Sequence, residues 1–355
     1  MKAFALTAPK TFGWAEIPDE PAPGEGEVVV RPTACGVCAS DVHYWEHGRI
    51  SNQVIKEYPY VIGHEAAGVV VEIGPGVKNV KPGQRVAIEP GITCGECYCC
   101  RSGRENICPN VIFLGTPPVP GALRDTILTT WRNVEPIPDS VSFEDAALCE
   151  PFGVGIHAAR LADVRKGETV VIFGAGSIGL STAVAARCHG AERIIVAEPV
   201  AERRELAESM DFETIDIAGD PVEHIHELTD GGADTAFEAA GDVEAMRWAT
   251  LAPRLGGKAC IIGIPTDDTL KLDIHKIRRM ELAIYNCRRS NRTLAAALGL
   301  LAGPGAVISK MCTHRFPVAE AARAFQMSAD RADGLVKAML QLDAPTATEK
   351  RCRSG

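Results

Sequence analysis

Aromatic residues make up only 5% of this sequence, basic residues are outnumbered by acidic ones, and nowhere do eighteen apolar residues follow one another. Each shortage excludes a class. Without a long apolar run there is no candidate transmembrane helix. With 37 Lys and Arg against 46 Asp and Glu, and a formal charge of -9, neither nucleic acid nor an anionic membrane surface is an expected partner. The N-terminal stretch Met1–Leu6 reaches Pro9 before an apolar segment or small-residue cleavage site develops, so no secretory signal is read there and a cytoplasmic location is expected. In that reducing setting the thirteen cysteines are expected as metal ligands, reactive thiols or small core residues, not disulfides. Internal repeats and low-complexity blocks are absent too.

What is present is a globular composition, 46% hydrophobic and 23% charged over 355 residues, long enough that two cores are expected. Up to about residue 150, short β-branched runs (Glu27–Arg31, Gly68–Ile73, Arg85–Ile88) alternate with Pro/Gly punctuation, the texture of an antiparallel β domain. After Glu168 the pattern becomes strand Thr169–Phe173, helix Ser177–His189, strand Arg193–Ala197 and a helix to about Met210. Ala233–Glu238, Val243–Leu251 and Lys258–Gly263 continue the alternation, which predicts a parallel α/β sheet. A helix over Val318–Met327, an apolar stretch Leu335–Leu340 and a mobile polar tail complete the chain.

Five cysteines fall within fifteen residues. Cys94, Cys97, Cys100 and Cys108 follow C-x2-C-x2-C-x7-C, which can wrap a tetrahedral zinc with no coordination position left open, a structural site. Cys99 stands outside that spacing. A second constellation combines Cys38-Ala-Ser40-Asp-Val-His43 with Gly63-His64-Glu65 and the distant Cys149-Glu150-Pro151. One thiolate, one imidazole and one or two carboxylates form a mixed donor set that leaves zinc room for an exchangeable oxygen, as in a catalytic site.

The third motif is Gly174-Ala-Gly176-Ser-Ile178-Gly179 between an apolar strand and a helix, with Glu198 ending the next strand nineteen residues after Gly179. This is the full dinucleotide fingerprint. The glycines permit a tight turn and close approach of the backbone to a pyrophosphate, and the acid accepts from the adenosine ribose hydroxyls while repelling a 2′-phosphate. NAD is therefore expected ahead of NADP, although Arg203 stands five residues further on, where it could receive a phosphate.

These sets, in this order, resemble the zinc-dependent medium-chain dehydrogenases, whose fold is a GroES-like β-rich catalytic domain with a Rossmann doubly wound parallel-sheet dinucleotide-binding domain. The resemblance implies a catalytic domain over 1–153 with its zinc lobe at about 91–110, a Rossmann domain over 154–289, and a return to the first domain over 290–355. Ser40-Asp-Val-His43-Tyr44-Trp-Glu-His-Gly-Arg-Ile50 and Glu150-Pro-Phe-Gly-Val-Gly-Ile-His157 look specifically like the polyol dehydrogenases, the sorbitol and xylitol dehydrogenase group. By that resemblance Cys38, His64 and Glu65 hold a catalytic zinc, with Glu150 binding it directly or through water. Ser40, the nicotinamide ribose and His43 form the proton relay, and Tyr44, Phe113, Glu150 and Arg288 position the substrate. Cofactor contacts fall on Gly174, Gly176, Ile178, Gly179, Glu198, Arg203, Gly263 and Ile264. Arg289 stands where the group usually has tyrosine, and many animal sorbitol dehydrogenases lack the four-cysteine lobe kept here.

The implied reaction is reversible, NAD-dependent oxidation of a polyol to a ketose, xylitol to D-xylulose first and sorbitol to fructose as the alternative. Another alcohol or threonine-type dehydrogenase of the same superfamily is a further alternative. Two zinc ions per subunit and a homotetramer, or failing that a dimer, belong to the same implication. A zinc-ribbon nucleic-acid binder is disfavoured by the acidic charge, by the continuous cysteine spacing and by the dinucleotide fingerprint.

Overall fold

The structure is a computed structural model and describes residues 1–265 and 269–342. The expected polar tail lies outside the described residues. The described chain forms two compact units, the first comprising 1–103, 108–150 and the chain from Cys312 onward, the second 104–107 and 151–311. The return to the first unit thus falls at Cys312, later than residue 290. The reason is the apolar helix Leu294–Leu301, whose Leu294, Ala297, Leu298 and Leu301 are buried within the second unit.

In the first unit, Glu27–Gly36 is the central strand of a seven-stranded sheet. It pairs antiparallel with Glu65–Ile73, Ile127–Thr130 and Lys337–Gln341. Two of these strands overrun their sequence pattern. Pro32 and Gly68 suggest ends, yet the pairing continues past them, with a register shift between Pro32 and Ala34 that accommodates the missing amide. That continuation sets Gly36 opposite both Glu65 and Met339. Trp45, Phe325, Leu6 and Ile62 are among the residues that fill the core beside the sheet. The expected helix after Pro317 begins as a single 3-10 turn, Val318–Glu320, and runs as an α-helix from Ala321 to Asp330.

The second unit is a six-stranded, all-parallel sheet. Its spatial order is Glu213–Ile215, Arg193–Ala197, Thr169–Phe173, Ala233–Glu238, Pro253–Ile261, Ala283–Asn286. Val170, Val171, Ile172 and Phe173 are all buried, as β-branched and aromatic residues of a strand covered on both faces should be. The order reverses between Thr169–Phe173 and Ala233–Glu238, the switch point at which doubly wound sheets open a crevice at the strands' carboxyl ends. Among the described residues no helix is long and apolar enough to cross a membrane.

Candidate metal centres and nucleotide loop

The four cysteines of the lobe converge in the first unit. Cys97 and Cys100 sulfurs lie 3.4 Å apart, Cys94 and Cys108 3.6 Å, and the Cys94–Cys100 and Cys97–Cys108 pairs 3.9 Å. A tetrahedron with metal–sulfur bonds of about 2.3 Å has edges of about 3.8 Å, so this spacing fits zinc. The Cys97 sulfur also accepts from the Cys100 amide and caps the short helix Tyr98–Arg101. Backbone amides of Glu96 and Cys97 draw the Cys94 thiol down to about 6, whereas burial pushes Cys100 up to about 12. Bare, the cluster would keep a proton; a cation at its centre lets all four sulfurs ionise. Cys99 lies outside the set.

The mixed donor set assembles at the end of the overrunning strands. Donor atoms of Cys38, His64 and Glu65 lie within 4.8 Å of one another. Gly63, at φ +97°, turns the chain into His64, and a side chain there would press its Cβ to 2.9 Å from the Cys35 sulfur. Asp41, buried in the first turn of helix Ala39–His47, accepts from the Gly63 amide at 3.3 Å and faces His64 Nδ1 at 3.3 Å. With Nδ1 so engaged, Nε2 is the nitrogen left for a metal. Burial pulls the His64 pKa down, but Asp41 and then Cys38 outweigh it and the net shift is well upward. The ammonium of Lys337 donates to Glu65 Oε1 at 2.7 Å, Glu65 Oε2 at 2.8 Å and the Val37 carbonyl at 2.9 Å. Asp41, Glu65 and Glu150 are buried carboxylates beside this one buried ammonium, and a divalent cation suits that excess of negative charge.

Glu150 is buried but stands outside the three-donor group. Burial raises its carboxyl to about 7, with Glu65 and Asp41 adding to the shift and His64 and Lys337 opposing it. Ser40 Oγ donates to the Cys38 sulfur at 3.2 Å. His43 is half-buried, its ring 6.1 Å from that of His47, and burial followed by His47 lowers its pKa. Phe113 sets its ring 5.5 Å from the His64 ring. Tyr44 is 2% exposed within the core cluster of the first unit, its hydroxyl donating to Gln53 Oε1 at 3.3 Å.

In the second unit Gly176 precedes helix Ser177–Cys188 without a side-chain cap, which leaves its first amides for an anion. Gly174 has φ +104°, and a Cβ on Gly179 would lie 1.8 Å from the Gly174 carbonyl, so both must be glycine. Ile178 is half-buried on the helix's first turn. Glu198 is buried and holds the loop itself, accepting from the Ala175 amide at 2.7 Å and the Val200 amide at 3.0 Å. Arg203 is half-buried on helix Ala201–Ser209. Its neighbour Arg204 closes on the carbonyls of Glu198 and Pro199 and on Asp216. Glu238 does for the next loops what Glu198 does for the first, accepting from Ala240, Gly241 and Gly263 at 2.7, 2.6 and 3.1 Å. Ile264, beyond Gly263, is 58% exposed. Arg288 is exposed. Asp41, Lys337, Arg204 and Glu238 escaped the sequence reading; a lone Lys inside the apolar run Leu335–Leu340 and an acid ending a buried strand were the available signals.

Residues 24–139 match the alcohol dehydrogenase GroES-like domain family, and residues 177–303 match the zinc-binding dehydrogenase family. The sorbitol dehydrogenase of Bacillus subtilis (strain 168) is 43% identical over 279 residues, 78% of this chain and 79% of that protein. The L-idonate 5-dehydrogenase of Vitis vinifera is 35% identical over 331 residues, 91% of this chain and 90% of that one. An oxidoreductase/dehydrogenase of unknown specificity from Escherichia coli, known from a crystal structure, superimposes with TM-score 0.89 at 32% identity, covering 97% of this chain and 99% of its own. With two metal-fitting donor sets, a doubly wound nucleotide unit and relatives that match most of its length, this chain belongs to the zinc-dependent medium-chain dehydrogenases, in their polyol dehydrogenase group.

Proposed function

We propose that the protein oxidises a secondary hydroxyl of a five- or six-carbon polyol to the ketose with NAD, reversibly, through a zinc held by Cys38, His64 and Glu65. The observation that carries this reading is the donor group itself, one sulfur, one imidazole and one carboxylate within 4.8 Å. It lacks the second thiolate of the alcohol dehydrogenase branch. When bound, zinc supplies Lewis-acid polarisation of the substrate hydroxyl, which lowers its pKa. Asp41 fixes the His64 tautomer and Lys337 orients Glu65. Glu150, standing outside the donor group with a carboxyl raised to about 7, is assigned to hold a water or a substrate hydroxyl by hydrogen bonding instead of binding the metal directly. Ser40 takes the substrate proton and His43, kept neutral by burial, passes it on to solvent. Glu198 selects NAD by its charge at the adenosine ribose.

Sorbitol and xylitol are the two leading substrates: the sequence resemblance favours xylitol, the Bacillus subtilis relative is a sorbitol dehydrogenase, and both present secondary hydroxyls. A polyol carrying a carboxylate is the second reading, motivated by Arg288 next to Arg289 in place of tyrosine and by the L-idonate-oxidising relative. Purified protein is incubated with NAD and sorbitol, xylitol, L-idonate, threonine and ethanol, and NADH is followed at about 340 nm. Turnover of the polyols above threonine and ethanol is expected. Silence with every polyol would end the assignment, and preference for L-idonate would install the second reading. NADP in place of NAD tests the cofactor, and light scattering tests the homotetramer that the family resemblance implies.

A further inference from the structure

Within the second unit, Glu238 ends the strand Ala233–Glu238 and is 0% exposed. In register it lies level with Phe173 on one side and Ile261 on the other, each the last residue of its strand before a loop. Backbone amides meet both oxygens of its carboxylate. Oε1 accepts from Ala240 at 2.7 Å and from Gly241 at 2.6 Å, and Oε2 accepts from Gly263 at 3.1 Å, 25 residues further along the chain. One side chain thus ties together the loops that follow two neighbouring strands. The fit is close: a Cβ on Gly263 would lie 2.6 Å from Oε2 and 2.3 Å from the Gly241 nitrogen. The glycine loop joins the same nest, since Ala239 donates to the Phe173 carbonyl at 2.9 Å and a Cβ on Gly174 would stand 3.1 Å from the Ala240 nitrogen. Burial raises the pKa of the Glu238 carboxyl against the pull of its amides. A carboxylate placed there costs free energy that an apolar side chain would not, so strand packing alone does not account for it.

The sheet gives the cofactor its direction. The pyrophosphate belongs at Gly174–Gly176 and the start of helix Ser177–Cys188, and the adenosine ribose at Glu198, after the strand Arg193–Ala197. That strand lies on one side of Thr169–Phe173, and Ala233–Glu238 and Pro253–Ile261 lie on the other. A dinucleotide laid across the switch point with its adenosine half on the first side must carry its nicotinamide half over the second, onto the loops that Glu238 ties.

We propose that Glu238 is a positioning residue for the nicotinamide half of the cofactor: through the amides of Ala240, Gly241 and Gly263 it fixes the two loops on which that half rests. The inference rests on the reading of this unit as the NAD-binding one. It divides the cofactor between two buried acids, with Glu198 shaping the loop under the adenosine and pyrophosphate and Glu238 shaping the loops beyond them.

The test is Glu238→Gln in the full-length zinc-loaded protein, a near-isosteric change that replaces one acceptor oxygen by an NH2 group and so sets a donor against a donor on one of the two loops. Two probes are titrated by calorimetry: NADH, and ADP, which presents the adenosine and both phosphates but lacks the nicotinamide half. The Kd for NADH is expected to rise about tenfold and that for ADP by less than about twofold, because only the loops beyond the pyrophosphate lose a bond. The fluorescence of bound dihydronicotinamide should change with the variant, as its surroundings do. Glu238→Asp keeps two oxygens on a shorter arm, which suits the amides two and three residues along but draws back from Gly263. It should weaken NADH by a smaller factor, again sparing ADP, and serves if the Gln variant fails to fold. An NADH affinity unchanged in the folded variants refutes the positioning role and leaves the NAD reading standing. Equal losses for NADH and ADP, or failure of both variants to fold, would reduce Glu238 to a support of the whole unit and likewise overturn the proposal. A wild type that binds neither probe removes the NAD reading itself and the proposal with it.

Discussion

The Lys337 ammonium bridges both carboxylate oxygens of Glu65, at 2.7 and 2.8 Å, with the two side chains only 2% and 1% exposed. Two residues 272 positions apart thus form a sealed ion pair within the candidate metal centre. A carboxylate has lone pairs enough for both the ammonium and a cation, so the pair orients Glu65 without consuming it.

Removing one partner of such a pair leaves an uncompensated buried charge. Lys337→Met should cost about 3–5 kcal/mol, and Glu65→Gln added to it should restore much of the loss. Urea denaturation of the metal-free protein measures both. A fully stable Lys337→Met would show that the pair contributes nothing.

Gly36 faces Glu65 across the sheet, and a Cβ there would fall 2.0 Å from Glu65 Oε2. Gly36→Ala must therefore displace the carboxylate and is expected to weaken the mixed-donor metal by about 10- to 100-fold while sparing the four-sulfur site. Metal analysis after mild chelation should fall from two zinc ions per subunit to one. Retention of both would refute the reading.

The two donor sets should separate under mutation. Cys38→Ser should abolish turnover with little change in Tm, while Cys100→Ser should lower Tm first, since a closed zinc site contributes directly to folding. A Cys100→Ser protein that is inactive yet as stable as wild type contradicts this division.

Glu198 accepts from the Ala175 amide of the glycine loop at 2.7 Å, and on the proposed reading it also repels a 2′-phosphate. Glu198→Ala is accordingly expected to raise the NADP/NAD ratio of kcat/KM and also to raise KM for NAD. If the ratio does not move, specificity resides elsewhere.

Burial, and then His47, hold the His43 imidazole below its usual 6.5. Between the folded and unfolded values the unfolded chain binds more protons, so stability rises with pH through that window; the contribution is complete above about 6.5 and is lost as pH falls through the folded value. His43→Gln should flatten the dependence of the urea midpoint on pH below about 6.5. An unchanged slope would assign it to other groups.

Local rules were enough for the nucleotide unit. Thr169–Phe173 and Arg193–Ala197 are strands with the bounds their β-branched runs suggest, and the glycines sit where a turn and a close contact demand them. The sulfur lobe was equally legible, because four cysteines close together in the chain can meet only around a shared centre. The mixed site was legible in its donors, less so in its supports. Tyr44 reads as a substrate residue from its neighbours in the chain, while its burial in the core cluster is visible only in the packing. Asp41, Gly36 and Lys337 carry no spacing signal. They became site residues because the strands Glu27–Gly36 and Glu65–Ile73 continue past Pro32 and Gly68, and because a strand starting at residue 337 returns to pair with them. Chain-local preference decides which segments become strands and which thiols cluster; which buried charge meets which is decided by register, since a carboxylate out of water is tolerable only where distant chain delivers its partner.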